Sequence, residues 1–216
     1  MIAHTSEQGA SGTTVVGLLG AVASGKSTVA RIMVEAGAQL VDADVIAHEV
    51  LARPEVKRNL ELAFGRDVFT PEGRADRAKL AAFVFGADAE SEEQRQRLNA
   101  IVHPPVLEEI DKQVREARRR EAGLVVLDAP LLMEKGLAEH CDMLVFVDAP
   151  EALRAERAQK DRGWAGAEVS RRDAAQIPAA DKKQKADLVI QNAGTKEELR
   201  TDVRSLVQQI TSARKG

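Results

Sequence analysis

Five short stretches of the chain are almost continuously apolar: Thr14–Leu19, Ala38–Val41, Leu124–Leu127, Met143–Val147 and Leu188–Ile190. Unbroken rather than alternating runs suit strands buried on both faces, as in a parallel sheet with helices on each side. Between them the apolar positions take helical spacing. Val29, Ile32, Met33 and Ala36 recur on one helix face, and Gly37 closes that helix. Leu199, Val203, Leu206, Val207 and Ile210 make a second apolar stripe near the end of the chain. The pattern predicts an α/β fold, a five-stranded parallel sheet flanked by helices.

Two spans exceed what a crossover requires. Parallel strands need a connection of about a dozen residues or more, yet the second and third runs are separated by everything from Asp42 to Gly123. Within it, Asp76–Phe85 carries Leu80, Phe83 and Val84 on one side, Ser91 and Gln94 have capping-box spacing, and Pro104–Pro105 stand where a helix can begin. A helical insertion over 47–120 is expected. A second insertion, 151–185, is rich in Arg, Lys and Gln and poor in large apolar residues, the composition of a segment that moves as a lid. The remainder, 14–46 with 121–150 and 186–216, forms the core, and 1–13 reads as a polar tail without the basic start and apolar stretch of a signal peptide.

After the first strand comes Gly20-Ala21-Val22-Ala23-Ser24-Gly25-Lys26-Ser27, which satisfies G-x-x-x-x-G-K-[ST] between a strand and an amphipathic helix. This marks a P-loop NTPase. Backbone N–H groups of such a loop wrap phosphates, and the helix start adds partial positive charge. Lys26 is expected to reach the β- and γ-phosphates of ATP, and Ser27 to hold Mg²⁺. Ala21 and Ala23 stand where glycine is common, so both are expected at ordinary backbone angles.

Carboxylates follow three of the strands. Asp42-Ala43-Asp44 ends the second, and continued extension would aim both acids to one side, one as general base and one as hydrogen-bonder or outer partner of Mg²⁺. Asp44 also suits a helix N-cap before Val45–Leu51. Asp128 resembles the Mg²⁺-associated carboxylate of P-loop enzymes, whereas Asp148 suits a cap or turn.

Composition narrows the partners. The 216 residues are 44% hydrophobic and 30% charged, with net charge −3. That balance gives no field to attract nucleic acid or anionic lipid, and no apolar run approaches the ~20 residues of a membrane helix. Arg118–Arg120 reads as a solvated helix end, Cys141 as a small core residue in a reducing compartment, and His48 as packed or surface. The expectation is a cytoplasmic protein, monomeric, acting on a small molecule.

From Val15 to Asn192 the chain resembles bacterial dephospho-coenzyme A kinases. The likeness rests on Gly17–Gly20 leading into Gly25-Lys26-Ser27-Thr28, on Asp42–His48, Asp76-Arg77, Leu98–Pro104, Asp128–Leu132 with Glu134, Gln176, and Lys185–Asn192. The resemblance implies that ATP phosphorylates the ribose 3′-hydroxyl of dephospho-coenzyme A, giving coenzyme A and ADP. It implies Asp44 as base, and Asp42, Arg77, His103, Pro130, Leu131 and Leu132 on the acceptor side. It puts Arg162 and Arg172 in the lid, and Asn192 and Gly194 beside adenine. Gly20 to Thr28 would cradle the phosphates. The chain departs from the usual pattern at Leu19, Ala21, Ala23 and Gln191, and in the lid order Lys160-Asp161-Arg162. On the residues alone, His103 could instead sit at a helix start, and most of Arg154, Arg157, Arg162, Arg171 and Arg172 could be solvated. Another P-loop kinase of a nucleotide or sugar acid is the rival reading. A regulatory ATP-binding switch is a third, although the guanine-reading Asn-Lys-x-Asp segment of GTPases is missing.

Overall fold

The computed structural model describes residues 12–84 and 89–212. The tail therefore falls outside the described residues except at its end, where Thr13 already belongs to the first strand. The strands are β1 (Thr13–Leu19), β2 (Gln39–Asp42), β3 (Gly123–Asp128), β4 (Met143–Asp148) and β5 (Leu188–Gln191). Each expected apolar run falls within one of them or overlaps it. The sheet order is β2-β3-β1-β4-β5, and the β1–β3, β1–β4 and β4–β5 pairs are parallel. The connection leaving β1 runs toward one edge and that leaving β3 toward the other, which opens a crevice at the carboxyl ends of these two strands.

The chain divides into two compact units, one formed by residues 1–41 and 113–216 and the other by Asp42–Lys112. In the first, helices α1 (Lys26–Glu35) and α9 (Lys196–Ser212) cover one face of the sheet. Val29, Ile32 and Met33 of α1 and the Leu199–Ile210 stripe of α9 pack on Val16, Leu18, Val126, Val145 and Val147. Alternate residues of β1 serve the other face, where Leu132 and Cys141 crowd the Cα of Gly17 so closely that a Cβ there would lie 2.6 Å from the Cys141 sulfur. Ala36 caps α1 and Gly37 follows at φ +102°, a left-handed stop that glycine adopts freely. The 151–185 segment folds as α6 (Glu151–Arg162), α7 (Gly166–Ala174) and α8 (Ala179–Lys185).

The second unit contains α2 (Ala43–Val50), α3 (Pro54–Phe64) and α4 (Arg77–Val84), and most of α5 (Ala89–Arg119). Its helices depart from the sequence pattern in three ways. Leu80 of α4 is buried, but Phe83 is 42% exposed and makes an edge contact with Phe64, while Phe85 lies outside the described residues. Ser91 lies inside α5, so its spacing to Gln94 is not a cap. Pro104 and Pro105 also lie inside α5 rather than at its start. Proline removes an N–H and crowds the carbonyl four residues back, yet Ile110, Val114 and Ala117 beyond it are buried, and that packing carries the helix through the break.

Candidate active site

At the carboxyl end of β1 the backbone turns sharply. The Ser24 N–H donates to the Ala21 carbonyl at 3.2 Å, Gly25 adopts φ +96° as N-cap, and α1 begins at Lys26. The amides of a first helical turn lack intrahelical acceptors, so they offer an anion site. Gly25 tolerates no side chain: a Cβ would collide with the Asn192 amide, which donates to the Ser24 carbonyl at 2.7 Å from beyond β5. Gly20, at φ +152°, is similarly confined by Ser24 Oγ and the Val147 carbonyl. Ala23 overturns the expectation of ordinary angles. It holds φ +59°, a left-handed conformation that costs a non-glycine residue roughly 1 kcal/mol or more. The strain survives because the surroundings hold the turn.

Lys26 folds back on its own loop, its ammonium donating to the carbonyls of Gly20 (3.0 Å) and Ala21 (3.2 Å). Burial drives its pKa down to about 8, and Lys182 and Arg162 push the same way against the opposing charges of Asp128 and Asp173. Asp128, 9% exposed at the end of β3, acts electrostatically on the loop lysine and favours its charged form. Ser27 is exposed at the start of α1. Pro130 and Leu131 stand at the surface side of the following turn, whereas Leu132 is 1% exposed and anchors it from beneath.

The 151–185 segment contacts the loop through Asp173 and Arg154. Asp173 of α7 accepts the Val22 N–H at 2.8 Å, and Arg154 of α6 donates to the Val22 carbonyl at 3.1 Å and pairs with Asp173 at 2.7 Å. Arg157 donates to both the backbone and side-chain oxygens of Asn192 at 3.2 Å, leaving its Nη1 buried without a hydrogen bond. Trp164, like Ala23, packs against a cluster of Val22, Ala158 and Val169. Arg162 and Arg172 stack on its ring at 4.6 and 4.0 Å, and Arg172 also pairs with Glu168 at 2.6 Å. Lys182 of α8 is 2% exposed, held by Glu134 and Gln176, both at 2.8 Å. Burial alone would raise the Glu134 carboxyl, but hydrogen bonds from Lys182 and the Ile177 amide hold it below its usual value. Gly194 lies just beyond Asn192, with Glu198 crowding its Cα.

Asp148 is neither cap nor turn residue. Pro150 occupies the N-cap of α6, and the Asp148 carboxylate pairs with Lys183 at 2.6 Å. Arg119 and Arg120 are exposed as expected of a helix end, but Arg118 reaches Asp142 at 2.9 Å. Burial pushes the Cys141 thiol up to about 12, which keeps it protonated at neutral pH.

In the second unit the acidic pair splits. Asp42 is the N-cap of α2, its Oδ1 accepting from the amides of Asp44 (2.9 Å) and Val45 (3.1 Å). The helix starts at Ala43, so strand alternation does not carry on to Asp44, which is exposed in the first turn instead of capping it. Arg77 opens α4, exposed, behind an Asp76 that accepts from the Ala78 and Lys79 amides at 2.9 and 3.2 Å. His103 is half-buried within α5 rather than at a helix start.

Known proteins match this arrangement over most of its length. Residues 14–198 fit the family model described as dephospho-CoA kinase. A dephospho-CoA kinase of Corynebacterium glutamicum is 40% identical over 199 residues, 91% of this chain and 97% of that protein. One from Thermobifida fusca is 42% identical over 186 residues, 85% of this chain and 90% of its own. Among solved structures, TT1252 from Thermus thermophilus superposes with a TM-score of 0.75 at 32% identity, covering 91% of this chain and 97% of that one. A phosphate loop between β1 and α1, in a chain matched so fully, makes this protein a member of the dephospho-CoA kinase family.

Proposed function

We propose that this chain transfers the γ-phosphate of ATP to the ribose 3′-hydroxyl of dephospho-coenzyme A, giving coenzyme A and ADP. The observation that carries this reading is the Gly20–Ser27 loop, with the Lys26 ammonium buried at its mouth under the electrostatic influence of Asp128, in a chain that fits the dephospho-CoA kinase model over residues 14–198. Phosphoryl transfer demands positioning and charge neutralisation rather than covalent help from the protein. Gly20 to Thr28 cradle the phosphates, and Lys26 leaves the Gly20 and Ala21 carbonyls to meet the β- and γ-oxygens. Asn192 and Gly194 border the adenine. Arg157, whose Nη1 has no hydrogen bond, joins Arg162 and Arg172 as a cation of the lid. Asp44 takes the proton of the attacking hydroxyl, and its exposed carboxylate is free to do so. Asp42 caps α2, and the family resemblance assigns Asp44, Arg77, His103 and the Pro130–Leu132 turn to the acceptor.

Magnesium fits the residues present. A hydroxyl on Ser27 and the carboxylate of Asp128 suit a hard cation that takes few protein ligands and shares the rest with phosphates and water. Bound there, Mg²⁺ would neutralise charge on the β- and γ-oxygens. No described helix is long and apolar enough to cross a membrane. Net charge −3 supports a small-molecule substrate over nucleic acid, and the lone Cys141 suits a reducing cytoplasm. A monomer suffices, since no group in this reading comes from a second chain.

The test is ADP release with a panel of acceptors. Turnover with dephospho-coenzyme A and none with nucleoside monophosphates or sugar acids is expected. Turnover only with another acceptor, or hydrolysis unaffected by any acceptor, would overturn the assignment.

A further inference from the structure

The turn Ala21–Ser24 puts Ala23 at its third position with φ +59°, where turns with φ > 0 call for glycine or asparagine. The peptide groups on both sides of Val22 are gripped from outside the loop. Asp173 accepts the Val22 N–H at 2.8 Å, and Arg154 donates to the Val22 carbonyl at 3.1 Å. The two side chains are joined at 2.7 Å and are only 13% (Arg154) and 30% (Asp173) exposed. The orientation of the Val22–Ala23 peptide is shared between ψ of Val22 and φ of Ala23. Holding its oxygen therefore holds the strained angle. Trp164, Ala158 and Val169 pack against the same turn and limit its room to relax.

We infer that Arg154 and Asp173 are positioning residues that keep the phosphate loop in its nucleotide-accepting form, doing from the lid segment what a glycine at position 23 would do from within. This rests on the reading of Gly20–Ser27 as the ATP site. Neither residue needs to touch ATP.

The experiment measures ATP KM, kcat and ADP affinity for Asp173→Ala and Arg154→Met, each alone and combined with Ala23→Gly. Arg154→Met keeps the apolar bulk of the side chain, so it reports even if Asp173→Ala folds poorly. Each single substitution should raise ATP KM about tenfold with little change in kcat, the scale of one hydrogen bond to a charged group. In the Ala23→Gly background the same substitutions should cost less than about twofold. An equal loss in both backgrounds would overturn the inference, because a pair that merely supports the fold is not relieved by glycine at 23. Single variants within about twofold of the parent would also overturn it, provided Lys26→Ala abolishes turnover. Unchanged turnover in Lys26→Ala would instead remove the loop assignment beneath it.

Discussion

The ammonium of Lys26 lies 3.0 Å from the carbonyl oxygen of Gly20, six residues earlier in the same loop. The carbonyl bonds keep it in place without a phosphate, but they do not offset its burial, and its pKa falls to about 8. Anionic phosphate oxygens would favour the charged form and raise that value. Binding then takes up a proton once Lys26 is neutral, so ATP affinity should fall as pH rises. We expect ATP KM to be flat below pH 7.5 and to climb toward about tenfold per pH unit above 8. A KM unchanged from pH 7 to 9.5 would contradict this.

Asp42 and Asp44 should separate stability from chemistry. Asp42→Ala removes the cap of α2 and should cost about 1 kcal/mol, a fall in melting temperature of roughly 2–4 °C. Asp44→Asn should leave the melting temperature and ATP KM close to the parent and lower kcat about 10²-fold or more. A kcat preserved in Asp44→Asn would remove it as the base.

Glu134 and Lys182 bridge the turn after β3 and helix α8. Glu134→Ala strands a buried ammonium with Gln176 alone, and should cost on the order of 3 kcal/mol in chemical denaturation. Glu134→Leu with Lys182→Met should cost much less than the two single changes added together. The carboxyl is held below its ordinary 4.5, so its contribution is fully present above that pH and is lost as pH falls beneath it. Additive losses would mean that the pair is not coupled.

Trp164, the only tryptophan, reports on the loop it packs against. ATP should change its fluorescence, since Arg162 and Arg172 lie over its ring and the Val22–Ala23 turn beneath it is part of the phosphate site. The change should vanish in Lys26→Ala. A silent tryptophan in a folded protein that turns over would argue against movement there.

What the chain revealed in advance was whatever local chemistry decides. Strands such as Leu124–Leu127 announce themselves because a run buried on both faces has no polar positions, and the Gly25-Lys26-Ser27 loop because few residue orders suit it. At Pro104–Pro105 the local cost of proline argues for a boundary, but helix α5 runs on, with Ile110, Val114 and Ala117 buried beyond it. The angle of Ala23 is equally hidden from local sequence, since the groups that grip the adjoining Val22 peptides are Arg154 and Asp173, far along the chain. Arg157 resembled its neighbours on a charged helix. Only the fold distinguishes it from Arg171, which pairs with Glu168 at 2.7 Å on the surface.

The contact between Gly25 and Asn192 closes one route of sequence drift. The loop holds alanine at 21 and 23, yet at 25 the first added carbon would displace an amide that ties the loop to the segment after β5. Shortening Asn192 would make the space but cut the tie. Neither position can change alone without loss, and a paired change would still face φ +96°. A descendant of this chain could therefore vary much of its loop, but it would inherit these two residues together.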